Sequence, residues 1–225
     1  MKELEEKLGY AFSDGQLLQT ALVHSSYANE KRQEGLVCNE RLEFLGDSVL
    51  GFVVAQHLYR TCPDMPEGRM TRLRAELVCE QSLYGVAQRL ELGRYLLLGK
   101  GEELTGGRTR QSILADCVEA VIAALFLDGG IDVASGFIHR TILAGFDPAL
   151  HGRTGDSKTE LQELVQRRSG QVLHYEMTGE SGPDHRKTFS ARVTLNGVEI
   201  GAGEGRSKKE AEQAAARRAL ESLQR

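Results

Sequence analysis

The chain has 225 residues, 40% hydrophobic and 27% charged, enough apolar material for one large or two small packed cores and too much for a disordered segment. Its net charge of −4 hides an asymmetry, since residues 155–225 hold 12 Lys+Arg and 11 Asp+Glu, a balance of +1 against −5 for residues 1–154, so net charge alone excludes no nucleic-acid partner. No apolar run approaches the roughly 20 residues of a membrane span, and the acidic start Met1-Lys2-Glu3-Leu4-Glu5-Glu6 is unlike a secretion or transit signal, so the expectation is a cytoplasmic protein with no membrane partner.

Residues 3–145 read as mostly helical, with no β-alternation. Ser13-Asp14 caps a helix carrying Leu17, Leu18, Ala21 and Leu22, and Asn39–Leu58 keeps helical periodicity through Val49, Val53, Val54 and His57. Pro63 and Pro66 break the chain before a helix through Met70, Leu73, Leu77 and Val78. An amphipathic stretch covers Ser82–Leu92, a glycine-bracketed polar loop runs from Gly99 to Gly107, and a strongly apolar helix spans Ile113–Leu127. The four cysteines, Cys38, Cys62, Cys79 and Cys117, show neither a C-x-x-C pair nor zinc spacing, and are expected as buried or half-buried free thiols.

Pro148, Gly152 and Gly155 give residues 148–155 linker composition, which sets an N-terminal domain over 1–147 and a second over 156–225. There the pattern changes. Ser157 or Asp156 caps a helix through Leu161, Leu164 and Val165, followed by strands Val172–Thr178, Thr188–Leu195 and Val198–Ala202. The last two are joined by Asn196-Gly197, the strongest short hairpin signal. Ser207-Lys208-Lys209-Glu210 has the form of a capping box and opens a helix to Leu223. The expected fold class is therefore multidomain, an all-α domain followed by a small α+β domain of order α-β-β-β-α.

The chemistry concentrates in acids. Glu40, Glu43 and Asp47 fall at i, i+3 and i+7, one above another on a helix, where like charges repel by roughly 0.2–0.5 kcal/mol per pair. Leu42, Leu45, Val49 and Leu50 draw that stripe towards the interior. Asp116 and Glu119 repeat the pattern at i, i+3 on the apolar Ile113–Leu127 helix. Anions on two buried helices cost several kcal/mol unless neutralised. Without Cys or His ligands nearby, the remedy is a hard divalent cation of the Mg²⁺ type in an all-oxygen site.

The segment Asn39-Glu-Arg-Leu-Glu-Phe-Leu-Gly-Asp-Ser48 resembles the hallmark of bacterial ribonuclease III. Pro66-Glu67-Gly68, Gly106-Gly107 and Ile113-Leu114-Ala115-Asp116 running into Val118-Glu119-Ala120 resemble that family's other landmarks. The C-terminal region is similar to the double-stranded-RNA-binding domain that follows the nuclease domain in those enzymes, so the resemblance covers essentially the whole chain. It implies Mg²⁺ ligands at Glu43, Asp116 and Glu119 (with Mn²⁺ as a substitute), catalytic roles for Asp47 and Glu119, and supporting acids at Glu40 and Glu67. It also implies hydrolysis of both strands of double-stranded RNA, leaving 5′-phosphate and 3′-hydroxyl ends, in the processing of ribosomal, messenger and transfer RNA precursors.

A homodimer is implied too. Phe44, off the Leu42/Leu45/Val49 stripe, needs a cover and resembles the family's interface phenylalanine. In the C-terminal region the resemblance assigns RNA contacts to Thr159, Gln162 and Glu163 on the first helix and to His185 in the first hairpin loop. It assigns a further group to Ser207, Lys208 and Lys209 at the last helix, where two cations oppose the helix dipole unless phosphates dock there. Arg108 and Arg110 are expected as further phosphate contacts. A duplex-RNA binder without activity gains nothing from six acids facing a polyanion, and a small-molecule phosphohydrolase leaves the C-terminal domain unexplained.

Overall fold

The computed structural model describes residues 1–147, 157–166, 170–183 and 187–223, except for the side chain of Glu163. The chain divides into two compact units, Met1–Asp147 and Pro148–Arg225.

The N-terminal unit is helical: α1 Lys2–Leu8, α2 Gly15–Ala21, α3 Ser25–Glu30, α4 Glu40–Thr61, α5 Glu67–Leu77, α6 Glu80–Arg89, α7 Lys100–Leu104 and α8 Gln111–Thr141. Asp14 caps α2, its carboxylate accepting the Gln16 N–H at 2.9 Å. The centre is α8, which packs against α2, α4 and α6. Its side chains from Val118 to Leu125, Glu119 apart, are fully buried, so it is apolar all round. By length and composition α8 would cross a membrane; enclosure by three other helices accounts for the same composition.

Sequence periodicity ends this helix at Leu127, but it continues to Thr141 past a kink at Gly130 (φ 77°, ψ −176°). Glycine tolerates that conformation, so two helical segments join where a break is expected. Asp128, just before the kink, is anchored from outside, its carboxylate accepting the N–H groups of Ser13 and Asp14 and the Tyr10 hydroxyl.

The stretch Gly99–Gly107, expected as a polar loop, contains α7. Its start is fixed from α3, with Ser26 Oγ accepting the Gly99 N–H (2.9 Å) and Glu30 Oε1 the Lys100 N–H (2.7 Å). Those partners lie 73 and 70 residues away in sequence, beyond the reach of local pattern. Of the free cysteines, Cys62 and Cys117 are buried and Cys38 half-buried, but Cys79 is exposed, against expectation, because it precedes α6 instead of sitting on its apolar face.

The C-terminal unit runs α9 Ser157–Gln166, β1 Leu173–Ser181, β2 Thr188–Leu195, β3 Val198–Gly205 and α10 Lys208–Leu223. The strands form one antiparallel sheet in the order β1-β2-β3. Asn196 (φ 51°) and Gly197 (φ 84°) turn the β2–β3 hairpin with Leu195 opposite Val198, the two positive φ values of a type I′ turn. Leu161, Val165, Val193, Ala215, Ala216, Ala219 and Leu220 fill the core.

β3 is three residues longer than expected because its glycines, poor strand formers in isolation, make the helix contact. A Cβ on Gly201, Gly203 or Gly205 would come within 2.5, 2.2 and 2.4 Å of atoms of α10. Alternate glycines on the strand and Ala211, Ala215 and Ala219 on the helix thus let backbone approach backbone.

Candidate functional site

The two acidic helices cross where α4 carries Gly46. A Cβ there would stand 1.8 Å from the Glu119 carbonyl oxygen, so only glycine permits this approach. One turn before Gly46 on α4 lies Glu43, and on α8 lie Asp116 and Glu119. Carboxylate oxygens of Glu43, Asp116 and Glu119 lie within 4.8 Å of one another, all three side chains partly buried.

Crowding and burial act together on these groups. Burial first, then the charges of Asp47, Asp116 and Glu43, push the Glu119 carboxyl up to about 8. Burial, with Asp116, Glu40 and Asp47, raises Glu43 above the usual carboxylate range. Burial and Glu80 raise Asp116, and only His24 opposes them. Among the described residues no Lys or Arg pairs with any of the three. Three oxygen donors, close together and uncompensated, fit a hard divalent cation. Cys117 is no competing ligand, since it is fully buried and its Sγ faces the Ala21 carbonyl at 3.7 Å.

The remaining acids lie around this cluster. Asp47 and Glu40 are exposed and act on it through charge. Glu67 stands apart at the start of α5, its Oε1 accepting the Thr71 hydroxyl at 2.7 Å. It lines a cleft of about 300 Å³ with Ala55, Leu58, Tyr59, Met70 and Arg74. Phe44 is 78% exposed and heads a stripe down α4 with Phe52 and Tyr59, 55% and 74% exposed. Gly46, Glu80, His24, Phe52 and Tyr59 went unnoticed in the sequence. The one signal for them is aromatic spacing along one helix, Phe52 eight positions after Phe44 and Tyr59 seven after Phe52.

Arg108 and Arg110, expected as phosphate contacts, are both paired with acids of their own unit. Arg108 pairs with Glu103 and donates from Nη1 to the carbonyls of Gly93 (2.6 Å) and Leu96 (2.9 Å). Arg110 pairs with Glu102. Both tie the α7 segment in place, and their acids come from a stretch that reads as plain loop.

In the C-terminal unit Ser207 Oγ accepts the Glu210 N–H (3.2 Å) and Glu210 Oε2 accepts the Arg206 N–H (2.8 Å), closing the start of α10 reciprocally. Lys208 and Lys209 are exposed there and pair with no acid among the described residues. Thr159 and Gln162 lie on α9, Gln162 exposed. His185 and the side chain of Glu163 fall outside the described residues. A cation that sequence reading passed over, Lys158, ties α9 to α10 through Glu212 (2.6 Å) and lies 4.5 Å over the Tyr175 ring.

Comparison with known proteins covers both units. A ribonuclease-III-like family model matches residues 14–146, and a double-stranded RNA binding motif model matches residues 157–223. The chain is 49% identical over 222 residues to Ribonuclease 3 of Listeria welshimeri, covering 99% of this chain and 97% of that one. It is 52% identical over 222 residues to Ribonuclease 3 of Geobacillus thermodenitrificans, covering 99% and 90%. The nuclease domain of ribonuclease III from Campylobacter jejuni is a structural neighbour at 40% identity and a TM-score of 0.60, covering 64% of this chain and 97% of that one.

Proposed function

The chain belongs to the ribonuclease III family of endoribonucleases acting on double-stranded RNA, and from that premise we propose that it cleaves both strands with Mg²⁺ held by Glu43, Asp116 and Glu119. The cluster of three carboxylates within 4.8 Å, uncompensated among the described residues, carries this reading. Mn²⁺, also a hard oxygen-binding ion, substitutes. When bound, the cation supplies a Lewis acid that polarises the phosphodiester and makes water a better nucleophile. The protein's part is placement. Glu119, whose carboxyl is pushed up to about 8 by burial and then by Asp47, Asp116 and Glu43, would hold the cation as the carboxylate. Asp47, on the exposed side of the cluster, orients the attacking water and takes its proton. Glu40 adds negative charge at the rim. The products carry 5′-phosphate and 3′-hydroxyl ends.

The α4 stripe supports a homodimer. Phe44 and Tyr59 stand at its two ends, so an antiparallel two-fold contact between copies of α4 sets Phe44 against the partner's Tyr59 and covers both. The same contact brings the partner's Glu67, beside Tyr59 in its cleft, towards Glu43, which gives that isolated acid its supporting role. The related Campylobacter nuclease domain is itself described with a region involved in dimer formation.

The C-terminal unit grips the duplex. Ser207, Lys208 and Lys209 meet phosphates at the start of α10, and Thr159, Gln162, Glu163 and His185 meet the minor grooves. Arg108 and Arg110 are left out of this interface. The role in the cell is maturation of ribosomal RNA precursors and of some messenger and transfer RNAs in the cytoplasm, and the domain boundary is placed at residues 148–155.

Purified full-length protein and a long RNA duplex test the reading. Shortening with Mg²⁺, none with EDTA, and loss of cleavage by about 10²–10³-fold or more in Glu119→Ala with binding retained are expected. Intact duplex with wild-type protein and Mg²⁺ refutes it. Sedimentation gives a dimer for the wild type and a monomer for Phe44→Asp; a wild-type monomer at micromolar concentration removes the dimer.

A further inference from the structure

Outside the acidic cluster, the polar groups most deeply committed to its surroundings converge on the end of α2. Helix ends leave carbonyls without intrahelical partners, and buried ones need donors. Asn39 is 3% exposed, one of only two buried polar or charged residues among those described. It precedes α4 but does not cap it with its side chain. Instead its Nδ2 donates to the Ala21 carbonyl at 3.3 Å and its backbone N–H donates to the Val23 carbonyl at 2.9 Å. Its own carbonyl accepts the Glu43 N–H at 2.9 Å, which ties it directly to an acid of the cluster. From the other helix Cys117, fully buried and next to Asp116, directs Sγ to the same Ala21 oxygen at 3.7 Å.

One carbonyl thus receives a donor from the start of α4 and a donor from α8. The Gly46–Glu119 contact fixes how closely these helices approach. α4 and α8 also pack side chain on side chain, and the shared carbonyl adds a directional polar tie seven residues before Gly46 on α4. A hard cation discriminates sharply against misplaced oxygens.

We propose that Asn39 and Cys117 are positioning residues for the cation, clamping α4 and α8 to the Ala21 carbonyl and so setting the separation of Glu43 from Asp116 and Glu119. The proposal rests on the cation reading given above. Both side chains are directed to the Ala21 carbonyl. Each acts through the backbone that carries the ligands, as outer partners of metal sites do.

Mn²⁺ titration of the full-length chain, followed by the electron paramagnetic resonance signal of the free ion, tests it without RNA or turnover. Asn39→Ala is expected to weaken Mn²⁺ binding by about 10–100-fold, the range typical of such outer partners. Its cleavage recovers at high Mg²⁺, and its duplex affinity in EDTA stays that of the wild type. Cys117→Ala weakens Mn²⁺ binding less, and Cys117→Ser, which keeps a donor, restores it. Leu4→Ala, which opens a cavity in α1 away from the cluster, serves as the stability control. It lowers Tm with Mn²⁺ affinity unchanged.

Unchanged Mn²⁺ affinity in Asn39→Ala, or an equal loss in Leu4→Ala, overturns the proposal. Should Asn39→Ala fail to fold, Cys117→Ala decides, and wild-type affinity there overturns it equally. Failure of the wild type to bind Mn²⁺ refutes the cation reading instead, so the two failures are distinguishable.

Discussion

In the N-terminal unit the charges that matter are anions drawn into a helix contact, whereas in the C-terminal unit they are cations left outside one. Both units bring backbones unusually close by means of glycine, at Gly46 against Glu119 in the first and at Gly201, Gly203 and Gly205 against α10 in the second. The first contact buries carboxylates and crowds them, and burial, followed by the charges of Asp47, Asp116 and Glu43, pushes the Glu119 carboxyl up to about 8. The second builds a rigid base from which Lys208 and Lys209 project into solvent. A small cation has to be enclosed by its ligands, while a phosphate backbone is a long surface met from outside. Arg108 and Arg110 mark the boundary between these strategies, as cations of the nuclease unit tied down by Glu103 and Glu102.

The sharpest way to break the comparison is Gly46→Ala. With 1.8 Å available between the new methyl and the Glu119 carbonyl oxygen, α4 and α8 have to separate. We expect a loss of about 1–3 kcal/mol or more in denaturant unfolding, together with loss of divalent binding. Wild-type stability would mean that the contact does not set the site. In the C-terminal unit, Lys208→Ala with Lys209→Ala should weaken duplex binding and lower the log–log salt slope by about 2, one per phosphate contact, with cleavage at saturating RNA unaltered. An unchanged slope would remove both lysines from the interface.

The smallest effect concerns pH. Folding raises the Glu119 carboxyl from 4.5 to about 8. The stability linked to its proton is therefore whole below 4.5 and is lost as pH climbs through 8. In EDTA, Glu119→Gln should melt a few degrees above the wild type near pH 8, with the gain shrinking towards about pH 5. Equal melting temperatures at both pH values would show that the crowding is relieved by other means.

Much of this was legible locally. Asp14, the Asn196-Gly197 turn and the Ser207–Glu210 box act within a few residues, so side-chain chemistry alone marks them. The spacing of Glu43 with Asp47 and of Asp116 with Glu119 is likewise a local fact of helix geometry. What escaped was whatever depends on a distant partner: Glu30 starting α7, Asp128 anchoring the chain before α2, Arg108 turned inward, and the helix running on past Gly130. In each case the deciding atom belongs to another element, and no periodicity reports it.

By itself the sequence determined which residues are acidic, which helices carry them, the longer helices of the first unit, the order of helices and strands in the second, and where the hairpin turns, because each follows from backbone propensity, capping or period within a single element. Only the tertiary structure decided that Glu43 meets Asp116 and Glu119 while Glu67 does not, that Gly46 is the point of approach, and that Asn39 faces Ala21 instead of capping α4. Those outcomes depend on two helices touching, and the distance between helices is a property of the side chains that happen to lie between them.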